Sequence, residues 1–141
     1  MEEKIEIIEG GKYSDNRGNL FYFNDFRLDL IKRFYIIEHP NTTVIRAWQG
    51  HQREQKWFYV LSGSFNIIIV KPDNWELPAD NLDCKAMNLE SNNKILHVPG
   101  GYVTGFKANI PFSKIMIFSD LSIEESLKDD FRFDKNKWYK W

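Results

Sequence analysis

From Val44 to Phe58 the chain reads VIRAWQGHQREQKWF, which gathers Arg46, Trp48, Gln49, His51, Lys56 and Trp57 into fifteen residues. These side chains carry protons, hold anions and offer ring surfaces. An imidazole titrates near neutrality and suits a general base. An ammonium offsets developing negative charge, and a guanidinium grips phosphate or enolate oxygen. One histidine is too few for a catalytic zinc, which normally takes three protein ligands. Alternation along a strand puts Gln49 and His51 on one face, ~6–7 Å apart. The same rule puts Arg46 on the other face unless a bulge or twist intervenes near Ala47.

Short strands must position these groups. Asp15-Asn16-Arg17-Gly18-Asn19 is a turn signal before a strand over 20–23, and 32–38 reads as a strand closed by His39-Pro40-Asn41. Strands follow over 42–48 and 56–61, and Ser62-Gly63-Ser64 turns into a strand over 65–71, which predicts a hairpin. After a polar loop over 71–83 come strands over 85–89, 94–98, 102–107 and 113–119. Only 122–128 reads as helix, with Ser122 as N-cap and Glu125 three residues on in a capping box. Many short strands at this spacing define a sandwich or barrel. The last stretch, DDFRFDKNKWYKW, is an aromatic tail from about residue 129, expected to pack on the domain or on a neighbouring subunit.

Composition narrows the classes. A chain of 141 residues fits one domain, here 1–141, around a single core. With a net charge of −1 there is no excess of basic residues to suit a nucleic acid. Lone Cys84 excludes an intramolecular disulfide framework. No apolar run is long enough for a membrane span, and MEEKIEIIEGG does not read as a signal peptide, so the expected location is the cytoplasm. Aromatic residues make up 16% of the chain, five of them tryptophans, enough to fill a β core and still line a pocket.

A jelly roll with a histidine after an early strand resembles a cupin. The expected fold class is therefore all-β, a cupin double-stranded β-helix (jelly roll) with a short C-terminal helix. The metal pattern of cupins runs H-x-H, a glutamate four or five residues on, a glycine after six more, and a third histidine after P-x-G-x-x. Counting back from Gly63 sets Lys56 at the glutamate place and Gln49 and His51 at the histidine pair. Pro99-Gly100-Gly101-Tyr102-Val103 leads to Thr104 at the third histidine. Of these four, only His51 is a metal ligand, and an ammonium beside a divalent cation is unfavourable. The expectation is metal-free acid–base chemistry, with no metal and no cofactor.

The residues then resemble the cupin-fold epimerases and ketoisomerases of dTDP-sugars. The 3,5-epimerases carry D-x-R-G-x-F/L, here Asp15-Asn16-Arg17-Gly18-Asn19-Leu20, and R-G-L-H-x-Q, here Arg46-Ala47-Trp48-Gln49-Gly50-His51. Their P-x-G-x-x-H-G-F turn appears as Pro99 to Phe106. The 3,4-ketoisomerases carry K-R-x-Y-x-I, here Lys32 to Ile37, then R-G-x-H-A-H, whose arginine and second histidine are here Arg46 and His51. E-Q, G-S and a late S-D before an acidic helix follow, here Glu54-Gln55, Gly63-Ser64 and Ser119-Asp120. The resemblance spans roughly residues 12 to 135. Departures are Ala47 for glycine and Gln49 for the epimerase base, with the imidazole displaced by one pleat to His51.

The resemblance implies a metal-independent isomerase or epimerase, of 3,4-ketoisomerase or 3,5-epimerase type, acting on a nucleotide-linked 4-keto-6-deoxy sugar in surface polysaccharide biosynthesis. His51 is the expected base, Lys56 offsets enolate charge, and Tyr35 and Tyr102 are alternative proton donors. Arg46, Gln49, Arg17, Arg33 and Thr104 are expected to bind substrate. Trp48, and Trp57 with it, would stack on the base or sugar, with core or dimer packing the alternative use. His39 and His97 read as structural. A homodimer is expected, since such folds commonly share strands. The competing class is a non-catalytic cupin that binds a sugar or sugar nucleotide.

Overall fold

Apolar and aromatic residues concentrate between the polar turns, and the computed structural model folds those segments into two five-stranded antiparallel sheets. It describes residues 4–91 and 93–141; Asn92 and the first three residues, part of the N-terminal stretch read for a signal peptide, lie outside the described residues. The strands are β1 (Glu6–Glu9), β2 (Gly11–Asp15), β3 (Gly18–Tyr22), β4 (Arg33–His39), β5 (Ile45–His51) and β6 (Lys56–Ser62). They continue as β7 (Ser64–Val70), β8 (Cys84–Glu90), β9 (Lys94–Val98), β10 (Tyr102–Ala108), β11 (Ser113–Ser119) and β12 (Phe131–Arg132). Helix α1 (Ile123–Leu127) carries the expected capping box, Ser122 Oγ accepting from Glu125 N–H and Glu125 accepting from Ser122 N–H. Among the described residues no helix is long and apolar enough to cross a membrane.

The first sheet runs β1-β9-β6-β11-β4 and the second β12-β5-β10-β7-β8, with the β2–β3 hairpin apart from both. This is the all-β jelly roll with its short C-terminal helix. Alternation sends Phe58 and Val60 of β6 and Ile115 and Ile117 of β11 inward, against Phe65, Ile67 and Ile69 of β7 and Phe106 of β10. The other face of the second sheet is buried as well. Trp48, Ile68, Val70 and Val103 form a second cluster there, roofed by Phe133, Trp138, Tyr139 and Trp141 of the tail. A strand covered on both faces needs a continuous apolar run, which is why β7 reads FNIIIV.

Two sequence expectations are corrected. Residues 56–71 do not form a hairpin: β6 pairs with β9 and β11, whereas β7 pairs with β10 and β8. Gly63, at φ +80°, instead turns the chain from one sheet into the other, and a Cβ there would lie 2.1 Å from Ser113 Oγ. The strand expected over 42–48 starts at Ile45, because the Asn41 carboxamide oxygen accepts from Thr43 N–H and Oγ–H and holds a turn. Strands β1 and β2 were not read at all, their exposed polar positions masking the period.

The tail is a structural roof. Trp48 is 1% exposed, its ring centroid lies 5.5 Å from that of Trp138 and 5.4 Å from that of Trp141, and its Nε1–H donates to the Lys137 carbonyl. We predict that Trp48→Ala lowers unfolding free energy by about 3–5 kcal/mol, the usual cost of deleting a buried large aromatic, measured by urea titration. A loss under ~1 kcal/mol, normal for an exposed side chain, would contradict this packing.

Candidate active site

Strands β4, β5, β6 and β10 bring inward-facing polar residues to one end of the space between the sheets, where apolar packing gives way to a cavity of about 430 Å³. Arg33 and Tyr35 come from β4, Arg46 and Gln49 from β5, Lys56 from β6 and Thr104 from β10. The tail and α1 close the remaining side with Ser126, Asp130 and Arg132.

Local irregularity in β5 decides who faces inward. Gln49 pairs with Thr104 and Arg46 with Phe106, so Ala47 and Trp48 together face Gly105 in a β-bulge. The Ala47–Trp48 peptide within it is cis. A Cβ on Gly105 would lie 2.7 Å from that of Ala47, so the bulge packs directly on the glycine. One extra residue resets the alternation, and Arg46 shares the inner face with Gln49 and His51. Lys56 belongs there too, in phase with Phe58 and Val60.

Glu54 joins these groups. Its side chain has no exposed surface, and Oε2 lies 3.3 Å from His51 Nε2 and 3.6 Å from Lys56 Nζ. Its other oxygen, Oε1, lies 3.7 Å from an Arg33 guanidinium nitrogen. Asp129 fixes the turn bearing Glu54: its carboxylate accepts from the backbone N–H of Gln52, Arg53 and Glu54 at 2.8–2.9 Å. The Asp129 carbonyl lies 2.6 Å from His51 Nδ1. A carbonyl only accepts, so Nδ1 carries a hydrogen and Nε2 is the nitrogen turned to Glu54. Lys56 Nζ donates to Gln49 Oε1 at 2.9 Å, and Gln49 Nε2 donates to Asp130 Oδ1 at 3.1 Å. Glu54 and Asp129 escaped the sequence reading as site residues. The available signal was a carboxylate three residues after His51; for Asp129, 75–77 residues from the amides it holds, there was none.

Burial and charge set the protonation. Burial pushes Lys56 from 10.5 down to about 8, opposed by Glu54 and helped by Arg33. Burial, and Lys56 next, lower His51, while Glu54 works the other way. Burial, with Glu54 adding, raises Tyr35 to about 12, so its hydroxyl is a donor at neutral pH. The cavity wall carries Arg33, Arg46, Lys56 and Arg132 against Asp130.

Other expected site residues sit elsewhere. The His51 ring borders a separate void of about 10 Å³ shared with Glu54, Lys56, Tyr102 and Thr104, not the larger cavity. Tyr102 pairs with His51 across β10 and β5. Arg17 is at the tip of the β2–β3 hairpin, in an exposed ion pair with Asp15. Trp48 borders the cavity, but its indole is committed to the tail cluster. Trp57 stacks on His97 at 4.7 Å on the outer side of the first sheet. His97 Nε2 contacts Gln55 Oε1 at 2.8 Å, and His39 is buried between Phe65 and Phe106. At the cupin metal positions the donors do not fit an ion: Lys56 Nζ is bonded to Gln49, and Thr104 stands at the third place.

Solved structures share this architecture. The sugar 3,4-ketoisomerase of Thermoanaerobacterium thermosaccharolyticum, in complex with TDP-4-keto-6-deoxyglucose, is 18% identical, with a TM-score of 0.74 over 94% of this chain and 90% of that one. The TDP-quinovose 3,4-ketoisomerase of Campylobacter jejuni is 19% identical, with a TM-score of 0.73 over 93% of this chain and 94% of that one. For the dTDP-4-dehydrorhamnose 3,5-epimerase of Bacillus anthracis the values are 18%, 0.72, 94% and 79%. No protein-family model and no curated protein sequence matches the chain. The chain thus shares the cupin-like fold of these solved sugar-nucleotide isomerases and epimerases.

Lys56 gives the site a pH signature. Between about 8 and 10.5 the unfolded chain holds this proton while the folded chain has released it, so stability rises with pH across that window. We predict that the unfolding free energy of the wild type relative to Lys56→Met climbs from pH 8 to 10.5. A flat difference throughout would place Lys56 in water.

Proposed function

We propose that the protein is a metal-independent isomerase or epimerase of a nucleotide-linked 4-keto-6-deoxy sugar, working in the cytoplasm in surface polysaccharide biosynthesis. The observation that carries this reading is a cavity lined by four cations with an ionisable Lys56–Glu54–His51 cluster at its edge. A diphosphate calls for guanidinium and ammonium groups. In a 4-keto sugar the C4 carbonyl acidifies the hydrogens on C3 and C5. Removing one leaves an enolate, which nearby cations stabilise before the proton returns at another position. Arg33 and Lys56 line the cavity and would take up that charge, and the Tyr35 hydroxyl would donate. Support also comes from the fold neighbours, one of which holds TDP-4-keto-6-deoxyglucose and another TDP.

The alternative is a non-catalytic cupin that binds the same ligand class. It is favoured by Gln49, whose amide cannot abstract a carbon-bound proton and is held between Lys56 and Asp130. Incubation with TDP-4-keto-6-deoxyglucose in deuterated water separates the two. The enzyme places deuterium at C3 or C5, seen as loss of the corresponding proton NMR signals. Binding without exchange supports the non-catalytic cupin.

A homodimer belongs to the same proposal. A two-stranded hairpin is marginal by itself in water, yet the β2–β3 arm exposes Tyr13, Leu20, Phe21 and Tyr22. Edge strand β4 turns Phe34 and Ile36 outward, 60% and 52% exposed. A second copy would cover both surfaces. Light scattering is expected to give twice the monomer mass; a monomer mass independent of concentration would refute the dimer.

A further inference from the structure

The resemblance to dTDP-sugar epimerases sets a histidine base at the position Gln49 occupies and moves the imidazole one pleat to His51. The geometry assigns the work differently. His51 is tied at Nδ1 to the Asp129 carbonyl and turns Nε2 to Glu54. The void its ring borders, about 10 Å³, is room for about one water at most, not for a sugar carbon. Lys56 does line the large cavity, with Nζ anchored on Gln49 Oε1. Gln49 is oriented for this, since its Nε2 is committed to Asp130. A single carboxylate oxygen, Glu54 Oε2, faces both Lys56 Nζ and His51 Nε2.

We infer that Lys56 is the group that takes and returns the sugar proton, and that His51, reached through Glu54, stores the proton Lys56 must first shed. This rests on the isomerase reading above. The resting trio is ammonium, carboxylate and imidazole. An N–H bond of Lys56 breaks, the proton passes over Glu54 Oε2, and an N–H bond forms at His51 Nε2. The trio becomes amine, carboxylate and imidazolium with its net charge unchanged, which matters where charge cannot be solvated. The amine lone pair then takes the hydrogen on the carbon beside the carbonyl. That C–H bond breaks, an N–H bond forms, and the bonding pair moves onto the carbonyl oxygen as an enolate facing Arg33. Lys56 returns its proton to C4 while the O3–H bond breaks and that proton passes to O4, which leaves a carbonyl at C3 and a hydroxyl at C4 and completes the isomerisation without a further reactant.

The surroundings loosen the Lys56 proton, while burial and Lys56 itself disfavour the imidazolium, so the exchanged form is the minor one. From β4 come Arg33 and Tyr35, from β5 Arg46 and His51, from the turn Glu54, and from the tail Asp130 and Arg132. Burial lowers Lys56 to about 8, Glu54 opposes that shift, and Arg33 and Arg132 add to it.

The test combines exchange with NMR titration. In deuterated water with TDP-4-keto-6-deoxyglucose, Lys56→Met is expected to lose exchange about 10³-fold, the scale of a general base, and added ethylamine to restore part of it in Lys56→Ala. His51→Gln is expected to lose less, about 10²-fold at the low end of general acid–base effects, and to move the pH midpoint of exchange upward. Equal loss in both variants, or full activity in Lys56→Met, overturns the assignment. Without substrate, the Lys56 ammonium and the His51 ring are expected to titrate as a coupled pair in the wild type, and Lys56→Met to raise the His51 midpoint by about one unit, as loss of a close like charge does. Independent titrations alongside wild-type exchange sink the relay alone. Coupled titrations with no wild-type exchange sink the isomerase reading, and Lys56 then has no sugar proton to take.

Discussion

A carboxylate taken wholly out of water costs several kcal/mol unless cations and donors surround it, and Glu54 is such a group. Arg33, His51 and Lys56 all approach it, from β4, β5 and β6. These strands come from both sheets, so meeting the demand of one buried charge draws the two walls of the jelly roll together at this end. The same contacts put Lys56 and Arg33 at the cavity surface. Site and fold thus share one electrostatic centre, and chemistry in the cavity would work through the groups that surround Glu54.

The C-terminal tail is the second support. Its aromatic residues bury the outer face of the second sheet, and Phe131 and Arg132 add a short strand to the β5 edge. That docking sets Asp129 under the turn after β5 and Asp130 beside Gln49. A run of hydrogen bonds and ion pairs therefore leads from Arg132 through Asp130, Gln49 and Lys56 to Glu54. The tail is far from residues 44–58 in sequence, yet it positions both carboxylates that hold that stretch.

How much could be read in advance follows from the range of each interaction. Capping of α1 by Ser122 and Glu125 is a three-residue relation, and it was legible. So were the strands over 94–98 and 113–119, where apolar residues alternate between turns. Sheet membership was not. The turn at Gly63 looks locally like a hairpin, and only the pairing of β6 and β7 with different partners shows otherwise. The inner face of Lys56 needed the phase set by Phe58 and Val60, and that of Arg46 needed a bulge that nothing near Ala47 announces. Asp129 meets the turn at a separation of more than seventy residues, beyond any local pattern. His51 stood out by its spacing from Gly63, but spacing gave no sign of which way its ring would turn.

A titration of isotope-labelled protein with TDP tests the central claim most directly, that the space between the sheets is the nucleotide-sugar site. The account predicts that the Gln49 side-chain amide, the Thr104 backbone and the Arg132 Nε–H shift together, while the indole signals of Trp57 and Trp138 stay in place. Shifts confined to Trp57 and His97 on the outer side of the first sheet, with Gln49 and Thr104 unmoved, would contradict it.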